Sequence, residues 1–515
     1  MKKFATLTGL FVGLALALGS CATNPVTGKN ELSFVGEEWE LKVGQQQYAP
    51  ARQSQGGDYL ADPVVQRYVN KVGQRVAAVS DRELPYEFNV INSGVPNAWA
   101  LPGGKISINR GLLTELQSEA ELAAVLGHEV VHAAAKHGAK GFTRGALLQG
   151  GLLAATVATS GKEHANLAQV GASIGAQLIN TRYGRDAERE SDKFGIEYMV
   201  RAGYNPQGAV DLQQTFLELS EDRRQDFISG LFASHPPSAE RLENNKELVA
   251  KLGATGETGR EEYQRTMSRL LKAKPAYDAY EDAKKAFAEE KDTAKARALV
   301  QRAISIEPNE GHFHSMLGDL ELESNNPRAA LRHYDDAIRT NDGFFYYHLR
   351  KGMASEQLRD YRTANASLNR SVELLPTANA YNALGDIARV SGNREQAMAH
   401  YTKAAGHDSP AGQQALGSLT DLDLSSNPGK YIATQPRVAK DGSVSILVKN
   451  TTPRNINGVV LQILYPRSGQ LVEKTERISG TLAAGKTESI NVGLRIDPSL
   501  ARNVKSGVVR ASVQR

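Results

Sequence analysis

His128-Glu129-Val130-Val131-His132 sits within an apolar run that opens at Ser118. Ser118 and Glu121 have the spacing of a capping box, which starts a helix. Leu122, Val125 and Leu126 supply an apolar stripe, and Gly138 is the expected stop. On such a helix His128 and His132 are one turn apart and project from one face. Two neutral imidazoles so placed can share a zinc ion, and Glu129, one step round, can reach a water on that ion. Zinc brings such a water to a pKa of about 7, within reach of a carboxylate base. Composition makes a chance His-acid-x-x-His match about a one-in-forty event. The helical context strengthens the reading, because an unpaired carboxylate on a largely apolar helix is costly to bury.

A catalytic zinc site needs a third protein ligand. A metzincin-type continuation wants a glycine at position 135 and a histidine at position 138, but the chain has Ala135 and Gly138. His137 falls one position short; on a continued helix it points away from His132 and reads as structural. Asp186 to Ala202 reads as a second helix, closed by Gly203 and followed by Pro206. Glu188 and Asp192 lie on one face of it. Glu188 can complete a His₂Glu site with an open fourth position. Asp192 can accept the other ring N–H of a zinc-bound histidine and fix its tautomer. The same acidic run also reads as a solvated face, to which Glu190 is assigned.

Further motifs flank the two helices. Asn97-Ala98-Trp99-Ala100-Leu101-Pro102-Gly103-Gly104 precedes the first, and His235-Pro236-Pro237-Ser238 with Arg241 follows the second. Together these resemble the zinc metallopeptidase family of the HtpX and CAAX prenyl endopeptidase type, over about residues 22–250. BepA-like periplasmic protease-chaperones of that family also carry tetratricopeptide repeats, which extends the resemblance to about residue 410. The resemblance implies His128, His132 and Glu188 as ligands of one Zn²⁺ per chain, and Glu129 as the catalytic base. It implies that Asn97, Ala98, Trp99, Ala100 and Leu101 form an edge strand beside the site, with Pro102-Gly103-Gly104 turning into Lys105–Asn109. Such an edge binds an extended peptide through backbone hydrogen bonds; an ordinary hairpin is the alternative. His235 matches a family histidine near the metal. It either donates to the oxyanion of the tetrahedral intermediate, or occupies the open zinc position as a gate, or belongs to a helix-capping turn. Arg241 either stabilises developing negative charge in catalysis or forms a structural salt bridge.

The chain has 515 residues, enough for several domains. Hydrophobic residues make up 41 % and charged residues 23 %, which supports packed cores and excludes disorder or coiled coil for the whole chain. A net charge of +4 does not mark a nucleic-acid binder. The single cysteine, Cys21, excludes an intramolecular disulfide framework. It closes Leu18-Gly19-Ser20-Cys21, after Lys2, Lys3 and an apolar run from Leu7 to Gly19. That run is too short to span a membrane and fits a secretory signal peptide over residues 1–20. Its end resembles a bacterial lipobox, which implies acylation of Cys21 and anchoring to the membrane. Ala22 after the cysteine implies the periplasmic face of the outer membrane. An ordinary signal peptide with an incidental cysteine is the alternative.

Residues 21–60 are polar and read as an N-terminal linker or arm, and 61–260 as the metallopeptidase domain, mostly helical with one short β element. Residues 139–181 contain a Gly-, Ala- and Leu-rich stretch, including Gly145 to Leu153, that reads as a mobile lid, a membrane- or substrate-touching patch, or a plain helical hairpin. From 275 to 410 a 34-residue period joins Pro308, Asp342, Pro376 and Pro410, and Ala296, Ala330 and Ala364. Leu317-Gly318-Asp319 returns as Leu384-Gly385-Asp386. This is a tetratricopeptide signature: a concave surface for peptides or proteins, or a rigid spacer. From 425 to 515, period-two runs such as Val444-Ser445-Ile446-Leu447-Val448 suggest a small antiparallel β-sandwich.

The expected fold is multidomain: a mainly α gluzincin-type metallopeptidase domain with a small β element, an α-helical tetratricopeptide solenoid and the β-sandwich. The expected function is a zinc-dependent endopeptidase of the cell envelope acting on unfolded, misassembled or stalled envelope proteins. The rival expectation is a repeat-based chaperone or scaffold for the outer-membrane assembly machinery, with a gated or inactive zinc site. No nucleic-acid partner is expected.

Overall fold

The computed structural model describes residues 21–148, 183–221 and 231–514. The expected signal peptide, and residues 149–182 with most of the Gly-, Ala- and Leu-rich stretch, lie outside them. The chain forms two compact units, Met1–Tyr347 and His348–Arg515.

In the first unit, the arm at 21–60 carries more structure than its polar composition suggests. Strands β1 (Cys21–Thr23) and β2 (Asn30–Leu32) pair antiparallel, and α1 (Glu37–Ser54) is an 18-residue helix. Polar residues and an internal Pro50 conceal α1 in the sequence, yet it buries Gly44, Tyr48 and Ala51. Gly44 is required by close approach: a Cβ there would stand 2.0 Å from the Pro102 carbonyl oxygen. Helix α2 (Pro63–Ala77) is capped by Asp62 and buries Val65, Val69, Val72 and Val76. Strands β3 (Glu87–Ile91), β4 (Ala98–Leu101) and β5 (Lys105–Asn109) form a mixed sheet in the order β3-β5-β4. β3 runs parallel to β5 and β4 antiparallel to it.

β4 is an edge; among the described residues no further strand pairs with it. Asn109 N–H donates to the Asn97 carbonyl at 2.8 Å. Bonded pairs alternate along an antiparallel ladder, so the peptide groups of Ala98 and Ala100 face away from β5. The side chains alternate too: Ala98 and Ala100 join the main core, while Trp99 and Leu101 pack with Tyr48, Ala51 and Ile91.

Helix α3 (Glu119–Ala134) begins at the capping box: Ser118 Oγ accepts from Glu121 N–H, and the Glu121 carboxylate accepts from Gln117 N–H. It is buried on nearly every side, beyond the single stripe of Leu122, Val125 and Leu126. It stops before the expected Gly138. Lys136 adopts a left-handed φ of 60°, which ends the helix, and Gly138 lies inside α4 (His137–Leu148). Helix α5 (Arg185–Arg201) crosses α3 at Gly127 and Gly195. A Cβ on Gly195 would lie 3.0 Å from the His128 backbone nitrogen, and one on Gly127 3.1 Å from the Gly195 carbonyl. The two backbones therefore touch, and the first turns of α5 run alongside the His128–His132 face. Helices α6 (Gln207–Glu221) and α7 (Ala239–Leu252) complete the surround, α7 being capped by Ser238.

Helices α8 (Arg260–Ala288) and α9 (Thr293–Ile306), then α10 (Gly311–Glu323) and α11 (Pro327–Thr340), form two successive helix pairs. Gly318 sits under the Tyr334 ring, where a Cβ would come within 2.5 Å, and the Tyr334 hydroxyl donates to Asp319 at 2.7 Å. The unit boundary falls in α12 (Phe345–Gln357).

The second unit continues with α13 (Tyr361–Leu374), α14 (Ala378–Val390), α15 (Arg394–Ala405) and α16 (Pro410–Asp423). It uses the same device: Gly385 lies under Tyr401, whose hydroxyl donates to Asp386 at 2.7 Å. Leu-Gly-Asp recurs because the glycine admits the ring and the aspartate takes its hydroxyl. The strand-rich tail has two antiparallel sheets. In one, β7 (Ser443–Asn450) lies between β6 (Ile432–Val438) and β11 (Thr487–Arg495). In the other, β8 (Ile456–Arg467) pairs with β9 (Gln470–Arg477), β10 (Thr481–Leu482) and β12 (Lys505–Val513). Ile446, Val448, Leu461 and Ile463 from both sheets share one apolar cluster with Tyr401 and Leu419. Among the described residues no helix is long and apolar enough to cross a membrane.

Candidate active site

α3 contributes His128, Glu129 and His132, α5 contributes Glu188 and Asp192, and the turn before α7 contributes His235. One donor atom each from His128, His132, Glu188 and His235 lies within 4.8 Å of the others. His132 Nε2 is 3.0 Å from His128 Nε2 and 3.5 Å from Glu188 Oε1. His235 Nδ1 is 3.0 Å from Glu188 Oε1 and 3.3 Å from His128 Nε2, while its Nε2 is 3.6 Å from Glu129 Oε1. Glu129 Oε2 is buried without a hydrogen-bond partner among the described residues. Three imidazoles converging on one carboxylate, beside an orphaned carboxylate oxygen, fit a bound cation. Nitrogen and oxygen donors of this kind suit zinc.

Behind this cluster, His128 Nδ1 is 3.0 Å from Asp192 Oδ1. Arg241 Nε and Nη2 donate to the two oxygens of Asp192, each at 2.7 Å. Arg241 Nη1 lies 3.1 Å from Glu188 Oε2 and donates to the Pro236 carbonyl at 3.1 Å. The guanidinium is bound up in these contacts, and it also lines the pocket beside Glu129. The His235-Pro236-Pro237-Ser238 turn both caps α7 and delivers His235 to the cluster.

Burial dominates the electrostatics. It lowers the His132 pKa well below the usual value. Burial also opposes charge on His128, but Asp192 and Glu188 outweigh it and push the pKa up to about 10. Burial works against ionisation of Glu188, yet His235, His128 and His132 hold its carboxyl well below the usual range. Burial raises the Glu129 pKa. Asp192 is buried too, but Arg241 and His128 keep its pKa low.

Two sequence expectations need correcting. His137 does not point away from His132. Because α3 ends at Ala134, the chain turns back and His137 Nδ1 lies 2.9 Å from His132 Nδ1. Glu190 is not on a solvated face: His137 Nε2 is 3.3 Å from its Oε1, and Asn24 Nδ2 donates to the same oxygen at 2.8 Å. Tyr183 was missed altogether. Its ring stacks on His132 with centroids 4.0 Å apart, and burial pushes its hydroxyl pKa up. No motif or spacing pointed to it. An apolar pocket walled by Val125, Ile196, Met199, Leu212 and Phe216 opens onto His128, Glu129 and His235. β4 packs on α3, and Cys21 opens β1, paired with Leu32.

Residues 63–249 match peptidase family M48, and residues 378–406 match a tetratricopeptide repeat. A beta-barrel assembly-enhancing protease of Yersinia pestis is 25 % identical over 393 residues, covering 70 % of this chain and 80 % of that protein. The mitochondrial metalloendopeptidase OMA1 of Schizosaccharomyces pombe is 30 % identical over 240 residues, covering 45 % of this chain and 68 % of that protein. The metalloprotease YcaL of Escherichia coli is 28 % identical over 187 residues, covering 35 % of this chain and 71 % of that protein.

Proposed function

The chain belongs to peptidase family M48 and is a metalloprotease, and we propose that it is a zinc-dependent endopeptidase of the bacterial cell envelope that hydrolyses unfolded, misassembled or stalled envelope proteins. The observation that carries this reading is the convergence of His128, His132, Glu188 and His235 beside the unpartnered Oε2 of Glu129. His128, His132 and Glu188 would hold one zinc ion, which when bound would supply Lewis acidity to the scissile carbonyl and to the attacking water. Glu129 takes the proton of that water as the C–O bond forms, then delivers it to the leaving nitrogen as the C–N bond breaks. Asp192 fixes the His128 ring through Nδ1, and Arg241 holds Asp192 in place. The substrate backbone adds to the free edge of β4 at Ala98 and Ala100. The apolar pocket beside Glu129 takes one of its side chains.

His235 Nδ1 lies 3.0 Å from Glu188 Oε1, so His235 would supply a fourth donor and close the site at rest, leaving it for substrate to enter. This brings the gated form of the rival reading into the same protein: a protease that is shut until engaged. The leader, the lipobox at Cys21 and the likeness to a beta-barrel assembly-enhancing protease support a lipid-anchored enzyme at the periplasmic face of the outer membrane. There the repeats would engage the outer-membrane assembly machinery. The site helices fit a gluzincin-type domain, and the two C-terminal sheets fit a β-sandwich.

The test is cleavage of a reduced, unfolded protein by the zinc-loaded mature chain. Glu129→Gln should lower kcat/KM by about 10²–10⁴-fold and keep the metal. A Glu129→Gln variant as fast as the parent would refute the base. No cleavage by either the parent or His235→Ala would refute the endopeptidase.

A further inference from the structure

We propose that His137, Glu190 and Asn24 form a positioning relay that holds His132 in its metal-binding orientation, which makes the N-terminal arm part of the metal centre. The proposal rests on the metalloprotease reading above. His132 is 1 % exposed, and its Nε2 faces the donor cluster. Its other ring nitrogen needs a partner, because a buried N–H without one is costly. That partner is His137 Nδ1, at 2.9 Å. With the His132 Nε2 lone pair directed to a metal, the His132 proton sits on Nδ1 and is donated to His137. The His137 proton then sits on Nε2, which faces Glu190 Oε1 at 3.3 Å. Ser191 Oγ also approaches His137 Nδ1, but at 3.5 Å, and is the weaker contact.

Asn24 locks the far end. Its Oδ1 accepts from the backbone N–H of Val26 at 2.9 Å and of Thr27 at 3.3 Å, so its Nδ2 is the group that must face Glu190. Asn24 is 1 % exposed. The arm is fastened to α4 by other means as well. Glu31 pairs with Lys140, Phe34 N–H donates to Thr143 Oγ1 at 3.1 Å, and the Trp39 and Phe142 rings lie 4.9 Å apart. The two site histidines of α3 are thus oriented differently. Through Nδ1, His128 meets a carboxylate directly at Asp192, whereas the Nδ1 of His132 reaches one through a second imidazole. Such outer partners set ring orientation and ligand basicity.

The test is zinc affinity of the full mature chain, measured by competition with a chromophoric chelator, with the fold of each metal-free variant checked by circular dichroism. His137→Phe should weaken zinc binding about 10–100-fold. Glu190→Gln and Asn24→Ala should weaken it progressively less. His137→Gln, whose side-chain oxygen can accept from His132, should recover part of the loss. Combining His137→Phe with Glu190→Gln should add little to His137→Phe alone, since both lie on one path. If the parent binds zinc and every folded variant stays within about twofold of it, the relay is wrong. If the parent binds no zinc, the metalloprotease reading fails instead. If His137→Phe does not fold, Glu190→Gln and Asn24→Ala decide: weakened binding at unchanged metal-free Tm supports the relay, and unchanged binding overturns it.

Discussion

Arg241→Met separates a residue that holds the site from one that reacts. Arg241 and Asp192 each have side chains 8 % exposed, and Glu188 is at 5 %. Methionine keeps the apolar stem and removes the charge. Asp192 then loses both guanidinium hydrogen bonds and, among the described residues, retains His128, while Glu188 loses the contact at 3.1 Å. Breaking a buried ion pair from one side costs about 3–5 kcal/mol, against at most about 1 kcal/mol for an exposed pair. The chain's two tryptophans, Trp39 and Trp99, both lie in the first unit, so their fluorescence in urea follows that unit alone. With a slope of about 1–3 kcal/mol per molar, the midpoint of the metal-free protein should fall by more than about 1 M.

The loss should also depend on pH. In the parent, the Asp192 pKa is held below its unfolded value, against burial, chiefly by Arg241. That contribution is present above the unfolded value and is lost as pH falls through the folded one. Without Arg241 that contribution shrinks to what His128 supplies against burial. The gap between parent and variant should therefore be wide at neutral pH and narrow as pH falls below about 4. A variant within about 1 kcal/mol of the parent at neutral pH, but about 100-fold slower in kcat, would refute the supporting role and make Arg241 a reacting group.

Three further outcomes are expected. His235→Ala vacates the fourth donor position and should raise kcat/KM on an unfolded protein several-fold; equal or lower activity removes the gate. Glu356, half-buried in the second unit and near Asp386, has a pKa pushed up to about 6 by burial first and Asp386 second. Its folded form holds a proton that the unfolded chain has released, so it costs stability as pH rises from about 4.5 to 6, by about 1 kcal/mol after allowance for its exposure. Glu356→Gln should remove that slope from thermal unfolding, and an unchanged slope refutes the assignment. Gly385→Val drives a side chain into the Tyr401 ring, whose Cε1 lies 2.5 Å from the Cβ position. It should destabilise the second unit by about 1–3 kcal/mol by circular dichroism. An unchanged Tm would show that the ring yields.

Much of this protein is written locally. The capping box at Ser118 and Glu121, the one-turn spacing of His128 and His132, and the shared face of Glu188 and Asp192 depend only on helical geometry over a few residues. The 34-residue period is also local, because each glycine admits a side chain of its own helix pair, as Gly318 does Tyr334, Gly352 does Leu368 and Gly385 does Tyr401. Helix α1 was not legible, since its apolar residues are few and Pro50 interrupts the pattern. Tertiary structure decided the rest. Gly127 and Gly195 let two backbones touch, which brings the histidine pair to Glu188. The left-handed turn at Lys136 ends α3 early, and that alone turns His137 from a residue facing away into the partner of His132. Helical periodicity predicts a side chain's direction only while the helix lasts. Once it ends, the backbone torsions that aim the next residue are set by packing against distant segments, here α5 and the N-terminal arm.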